Sequence, residues 1–349
     1  MHPEKTTGAG HTVEHGGAAP TLRYLQEMID KGDWKQALVG IDELQQSTPK
    51  TLETRSILAT CHLLRARALQ SLGDLTKAWA ESDRAIKIAK DAQQADIEAE
   101  AMCVVANIHW KKGKLEESLA VLEKAAAVAM IAKDDRVKGI VSLEMASVHM
   151  KKEEYSDAER EFRDSILSLE RSGEKRHLVR AYNNFAHVYY YQGMWQKAEE
   201  MFLKCKKLAE RSGYRSIGAW AAFNRAESLI ELKRLGEAKT ELDWALPILE
   251  DIGDIYGQVV TTSINSVISA MEGDFVRSEE LMGRAAELNK KIDIPHMAGR
   301  LAYDRALVCT FRGDKTRAAK LLKEAREVYQ RIGSKSEVTR VDRKLHELS

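Results

Sequence analysis

A six-residue stretch returns through this chain on a nearly constant grid. Gly193-Met-Trp-Gln-Lys-Ala198 has counterparts beginning at Gly32, Gly73, Gly113, Glu153, Lys233, Gly273 and Gly313. The first spacing is 41 residues and the next six are 40. A repeat of this length restricts the fold severely. Each unit is a small supersecondary module that buries its apolar face only by stacking on its neighbours. The 349 residues therefore do not imply the two or three globular domains that length alone would suggest.

Three columns of small residues run in phase with the grid. Seven residues before it stand Leu25, Ala66, Ala106, Ala146, Ala186, Ala226, Ser266 and Ala306. Five after it stand Ala37, Ala78, Ser118, Ala158, Ala198, Ala238, Ser278 and Ala318. Twelve after it stand Leu44, Ala85, Ala125, Ser165, Cys205, Ala245, Ala285 and Ala325. Small side chains at fixed positions let two helix backbones approach closely. Bulky residues such as Ile41, Leu122, Phe162, Phe202, Leu242, Met282 and Leu322 recur nine after the grid. The spacing of packers is helical, not alternating, and no stretch reads as a strand. With only 5 Pro, long stretches are free to be helical. Each unit is thus expected to be a helix, the loop at the grid, a second helix and a polar turn. Gly173, Gly213, Gly253 and Gly333 mark those turns as left-handed helix C-caps, with Asp293 at the remaining point. Pro247 falls inside the second helix of the sixth unit and is expected to kink it.

A small residue, then Gly-x-aromatic-x-x-Ala, a bulky residue and a second Ala resembles the tetratricopeptide repeat. The first unit keeps a terminal proline of that family at Pro49. The 40-residue period is similar to the longer repeats of LGN/Pins-type scaffolds, Rap-type bacterial regulators and MalT-like sensor domains. The resemblance implies an all-α, right-handed superhelical solenoid of eight helix-turn-helix repeats plus a C-terminal capping helix. The expected boundaries are a disordered leader at 1–17 and an array at 18–338. Its repeats span about 18–58, 59–98, 99–138, 139–178, 179–218, 219–258, 259–298 and 299–338. A capping helix is expected at 339–349.

Charge excludes some function classes. Lys plus Arg number 54 against 53 Asp plus Glu, so the net of +1 gives no general pull toward nucleic acid or anionic membrane. No apolar run approaches the roughly 18 residues needed to span a bilayer. The first residues have no apolar core and do not read as a secretory signal. Cys61, Cys103, Cys205 and Cys309 form no CxxC pair and read as buried free thiols of a cytoplasmic protein. No phosphate loop, dinucleotide fingerprint, HExxH or GxSxG is present, so no enzyme, cofactor or metal site is expected. His109 and His149 stand four before the grid, where Tyr189 stands in the next unit. They read as tyrosine replacements rather than metal ligands.

The resemblance implies that first helices line a concave face. Carried over by position, partner-binding residues are expected at Asn107, Trp110, Met150, Arg180, Asn183, His187, Tyr190, Trp220, Phe223, Glu227 and Tyr303. Trp110, Met150, Tyr190 and Ile230 would form an apolar ladder, while Asn183, Asn107, His187 and Arg180 would hydrogen-bond a peptide. Alternatively, the ladder packs against neighbouring inner helices. Residues 312–349 hold 11 Lys plus Arg against 6 Asp plus Glu, which reads as a solvated cap or a patch for an acidic partner. The expected function is a non-catalytic scaffold that holds a helical or extended segment of a protein partner. A peptide- or small-molecule-responsive regulator acting through a separate partner is the alternative. Neither nucleic acid nor membrane is expected as a partner, and pairing of two copies through edge helices stays open.

Overall fold

The same backbone bend recurs at every grid position in the computed structural model, whichever residue occupies it. The six grid glycines have positive φ, and so do Glu153 (φ 64°) and Lys233 (φ 62°). The turns between repeats behave likewise. Gly173, Gly213, Gly253 and Gly333 are left-handed, and Gln93 and Lys133 adopt the same conformation without being glycine. Stacking of flanking helices therefore dictates the bend, and glycine merely makes it cheap. Several bends are followed by an aspartate whose carboxylate accepts an N–H of the new helix. Asp74, Asp254, Asp274 and Asp314 do so from the residue three ahead.

The structure describes residues 21–292 and 294–348. The expected leader, Pro20 and Asp293 lie outside them. All described elements are helices. They fall into two compact units that divide after Ala132. The first unit contains α1 (Leu22–Lys31), α2 (Trp34–Ser47), α3 (Arg55–Ser71), α4 (Leu75–Asp91), α5 (Ala95–Lys111) and α6 (Leu115–Ala132). The second contains α7 (Asp135–Lys151), α8 (Tyr155–Ser172), α9 (Lys175–Tyr191), α10 (Trp195–Ser212), α11 (Arg215–Glu231) and α12 (Leu235–Asp251). It continues with α13 (Ile255–Met271), α14 (Phe275–Asn289), α15 (Pro295–Arg312), α16 (Lys315–Arg331) and α17 (Lys335–Leu348). The terminal helix begins at Lys335, ahead of the 339 expected, because the turn glycine at 333 is followed directly by a new helix. Helix α12 runs on through Pro247 without interruption.

The small-residue columns lie in the interior of both units. Apart from the half-buried Leu44, every member of the three columns is fully buried. At three of the four positions where serine replaces alanine, its hydroxyl finds a carbonyl across the helix pair. Ser118 donates to Ala106 O at 2.8 Å, Ser165 to Gly139 O at 2.7 Å and Ser266 to Ser278 O at 2.7 Å. The packers nine after the grid are buried as well. Cys61, Cys103 and Cys205 are buried and Cys309 is only half-buried, a departure from the expectation. Burial pushes the Cys205 thiol up to about 12, so this group is an inert core filler.

One close approach is tight enough to test. A Cβ on Gly139 would lie 2.6 Å from Leu169 Cγ and 3.1 Å from Leu169 N. Backbone cannot yield as a side-chain tip can. Gly139→Val is therefore expected to lower stability by about 2–3 kcal/mol through overpacking. Urea unfolding with an unchanged m-value would show this, and an unaltered midpoint would refute it.

Candidate partner-binding site

Within the second unit, side chains of α9, α11, α13, α15 and α17 meet around a shared cavity. The column thirteen before the grid carries Arg180, Trp220, Val260, Arg300 and, on α17, Arg340. The column six before it carries His187 and Glu227. These residues are far apart in sequence, and stacking brings several of them together at the axis.

The centre is a charged cluster with aromatic walls. Glu227 on α11 receives Arg300 Nη2 from α15 and Arg340 Nη2 from α17, each at 2.9 Å. Tyr190 OH donates to the same carboxylate oxygen at 3.4 Å. Arg300 Nε also reaches Asp304 at 2.8 Å, and Ser263 Oγ donates to that aspartate at 2.7 Å. The Arg340 guanidinium lies 4.3 Å from the Tyr303 ring centroid and 5.5 Å from that of Tyr190. Burial alone would raise the Glu227 pKa. Arg300 and Arg340 outweigh it, and the net shift is downward. Glu227 is thus a carboxylate held ionised between two buried cations.

Beside this cluster lies a chamber of about 190 Å³. His187, Tyr191, Phe202, Asn224, Tyr256 and His296 line it together with Glu227, Arg300, Glu337 and Arg340. His187 sits edge-on to Phe202 at 5.1 Å and stacks with Tyr191 at 6.0 Å. Its Nε2 is 3.3 Å from the Asn224 side-chain nitrogen. Burial depresses the His187 pKa to about 4 and overrides the opposing pull of Glu227, so the ring is neutral at ordinary pH.

Toward α7 the inner face is polar. Arg180 Nη2 contacts Glu144 at 3.3 Å, and Asn184 Nδ2 donates to Ser147 Oγ at 3.3 Å. Asn183 Nδ2 reaches Asn184 Oδ1 at 3.2 Å, and Asn183 Oδ1 is buried without a partner. An unpaired buried acceptor costs about 1–3 kcal/mol.

The expected site residues separate into groups. Asn107 is half-buried and Trp110 exposed in the first unit. In the second, Met150, Arg180, Asn183, His187 and Glu227 are half-buried, while Tyr190, Phe223 and Tyr303 are buried. Trp220 is 39% exposed, with its indole N–H donating to Asp254 at 2.6 Å. His187, Tyr190, Phe223 and Glu227 all line the axial chamber. The inner position of Tyr303 holds it under Arg340 instead of in solvent. Arg340, Asn184 and Asn224 were not singled out in the sequence, and Arg300 was placed in the inner column without being assigned to the site. For the two arginines a signal existed: both stand in the same inner column as Arg180.

The basic cap is not simply solvated. Arg340 turns inward, the Arg343 guanidinium lies 5.9 Å from the Trp195 ring centroid, and Lys344 Nζ is 3.9 Å from Glu231. His149 is less isolated than its periodicity implied. Its Nδ1 is 2.7 Å from Glu154, and Asp157 lies close by. Lys152 Nζ also meets Glu154 at 2.7 Å, so this carboxylate already has a cation. Among the described residues no helix is long and apolar enough to cross a membrane.

Residues 139–211 and 177–251 match one tetratricopeptide repeat model, and residues 99–129 match a second. No curated protein matches the chain by sequence. Solved structures do match. A Rap protein complexed with competence and sporulation factor superposes with a TM-score of 0.61 at 14% identity, over 94% of this chain and 98% of that one. The Rap conjugation gene regulator of plasmid pLS20, solved with a Phr peptide, gives 0.58 at 13% identity over 91% and 96%. Aspartyl phosphate phosphatase F from Bacillus subtilis gives 0.57 at 12% identity over 98% and 96%. At these identities the likeness carries the fold and not the ligands or activities of those proteins. Helix hairpins, in-phase small residues and family matches converge: residues 99–129 and 139–251 carry tetratricopeptide repeats, and the chain has a fold similar to that of the Rap-type regulators.

Proposed function

We propose that the protein is a non-catalytic scaffold that captures a short extended peptide segment on the inner face of residues 133–349. One observation carries this reading. Arg180, Asn183, Asn184, His187 and Asn224 offer polar side chains on adjacent first helices, α9 and α11. Asparagine amides supply both donor and acceptor, which suits the alternating N–H and C=O groups of an extended backbone. This favours an extended segment over a helical one, whose backbone groups are already bonded within the segment. Peptide-bound Rap structures with this fold support the same reading.

The experiment is affinity capture followed by crosslink mapping of the captured segment. Combined Asn183→Ala and Asn224→Ala substitution is expected to weaken that segment about 10–100-fold, from two hydrogen bonds of roughly 1 kcal/mol each. Far-UV circular dichroism should not change. Undiminished affinity, or crosslinks confined to outer helices, would remove the inner face from consideration. A regulatory reading is favoured by a separate observation, the reach of α17 across the axis.

A further inference from the structure

Helix α17 makes two chemically different contacts. Toward α15 and α16 it is part of a core. Val341 is fully buried with Tyr303, Leu322, Ala325 and Tyr329, and Val338 and Leu345 pack against them. Toward α9, α10 and α11 it reaches with long cations. Arg340 meets Glu227 and Tyr190, Arg343 stacks over Trp195, and Lys344 approaches Glu231. Among the described residues, the apolar cluster holding α17 contains no member of α9, α10 or α11.

Space is left on both sides of that second contact. A cavity of about 90 Å³ lies between Tyr155, Tyr191 and Trp195 on one side and Ser336, Thr339 and Arg343 on the other. The axial chamber lies behind Arg340. Protein cores are packed to crystal density, with few voids larger than a water. A seam of ion pairs and cation–π contacts flanked by cavities is not packed in that way. It breaks without opening the apolar cluster that holds α17, and each released cation regains water as it leaves.

We infer that α17 is a strap across the inner face, anchored on α16 and latched to α9 and α11 by Arg340, and that unlatching opens the axial chamber. Arg340 occupies the place where a ligand would meet Glu227, Tyr190 and His187. The closed state is therefore self-occluded, and a ligand enters by taking these contacts from Arg340. This rests on the inner face being the binding surface. Its test uses no ligand, so failure of the strap and failure of the binding site give different results.

The test attaches nitroxide labels to Met194→Cys and Lys335→Cys in full-length protein carrying Cys309→Ser. Electron paramagnetic resonance then measures the distance between the lips of the seam. Arg340→Met is expected to broaden the distribution and move it outward by about 5 Å, the scale of a one-turn helix shift. Helix content should be retained. Arg343→Met, at the outer end of the seam, is expected to give a smaller change in the same direction. An unchanged distribution in both variants would overturn the strap. So would widening that appears only together with loss of helix, because the seam would then be core.

Discussion

Arg225→Met is expected to lower the unfolding free energy of the second unit by about 3–5 kcal/mol, the typical cost of stripping a buried ion pair of one partner. Arg225 on α11 ties two second helices together. Its Nε donates to Glu199 at 2.8 Å, and its terminal nitrogens pair with Glu199 and Glu241. Both carboxylates are almost without solvent, at 3% and 5% exposure. Lys206 Nζ at 2.8 Å from Glu241 and Arg234 at 3.8 Å from Glu199 soften the loss without replacing it. Lys290 and Glu287 form the contrast. Their side chains are 70% and 71% exposed, and Lys290→Ala should cost no more than about 0.5 kcal/mol. Urea unfolding of both variants tests the difference. If Arg225→Met fell by less than about 1 kcal/mol, the remaining cations would suffice and the bridge would be incidental. Adding Glu199→Gln to Arg225→Met should recover part of the loss, because it removes the stranded charge.

Acid is expected to destabilise the second unit through its histidines before its carboxylates titrate. His187 is held at about 4 in the fold against an unfolded value of 6.5. Between those values the unfolded chain takes up a proton that the folded ring refuses, so stability falls with falling pH. The slope is about 1.4 kcal/mol per pH unit, and the loss is on the order of 3 kcal/mol by pH 4. Burial shifts His296 in the same direction, which adds to the loss. Glu227 acts lower. Its folded pKa is depressed, so its contribution is complete above the usual carboxylate range and is lost as pH falls through the folded value. His187→Gln should flatten the profile between pH 6.5 and 4.5 while leaving stability near pH 8 little changed. Identical profiles for wild type and variant would show that the ring is solvated.

Much of the fold was legible because its requirements are local and repeated. A helix pair that must approach closely needs Ala186 opposite Ala198, and the next pair needs Ala226 opposite Ala238. Eight copies of one demand are hard to mistake. Glu153 and Lys233 are instructive exceptions. Both adopt the left-handed bend although neither is glycine. Position in the stack, not residue type, sets the backbone there. The early start of α17 follows the same logic: the turn at Gly333 lies on the grid, and the helix follows it as every other first helix does.

The inner-face columns were equally legible as columns. His187, Tyr190, Phe223 and Glu227 come from the inner-face positions of the repeat, and they meet at one chamber, although Phe223 also belongs to the core of the unit. What they meet there could not be read. Arg340 and Glu227 are 113 residues apart, and their contact depends on where α17 arrives after several repeats. Each repeat adds a small rotation. No single repeat encodes the sum, and a few degrees per repeat decide whether α17 reaches α11 or stops short. The sequence by itself determined the hairpins, their stacking and the side chains turned toward the axis, because those follow from short-range sterics and helical period. Only the tertiary structure decided that the inner face of this unit closes on its own C-terminal helix, because closure is the accumulated curvature of the stack.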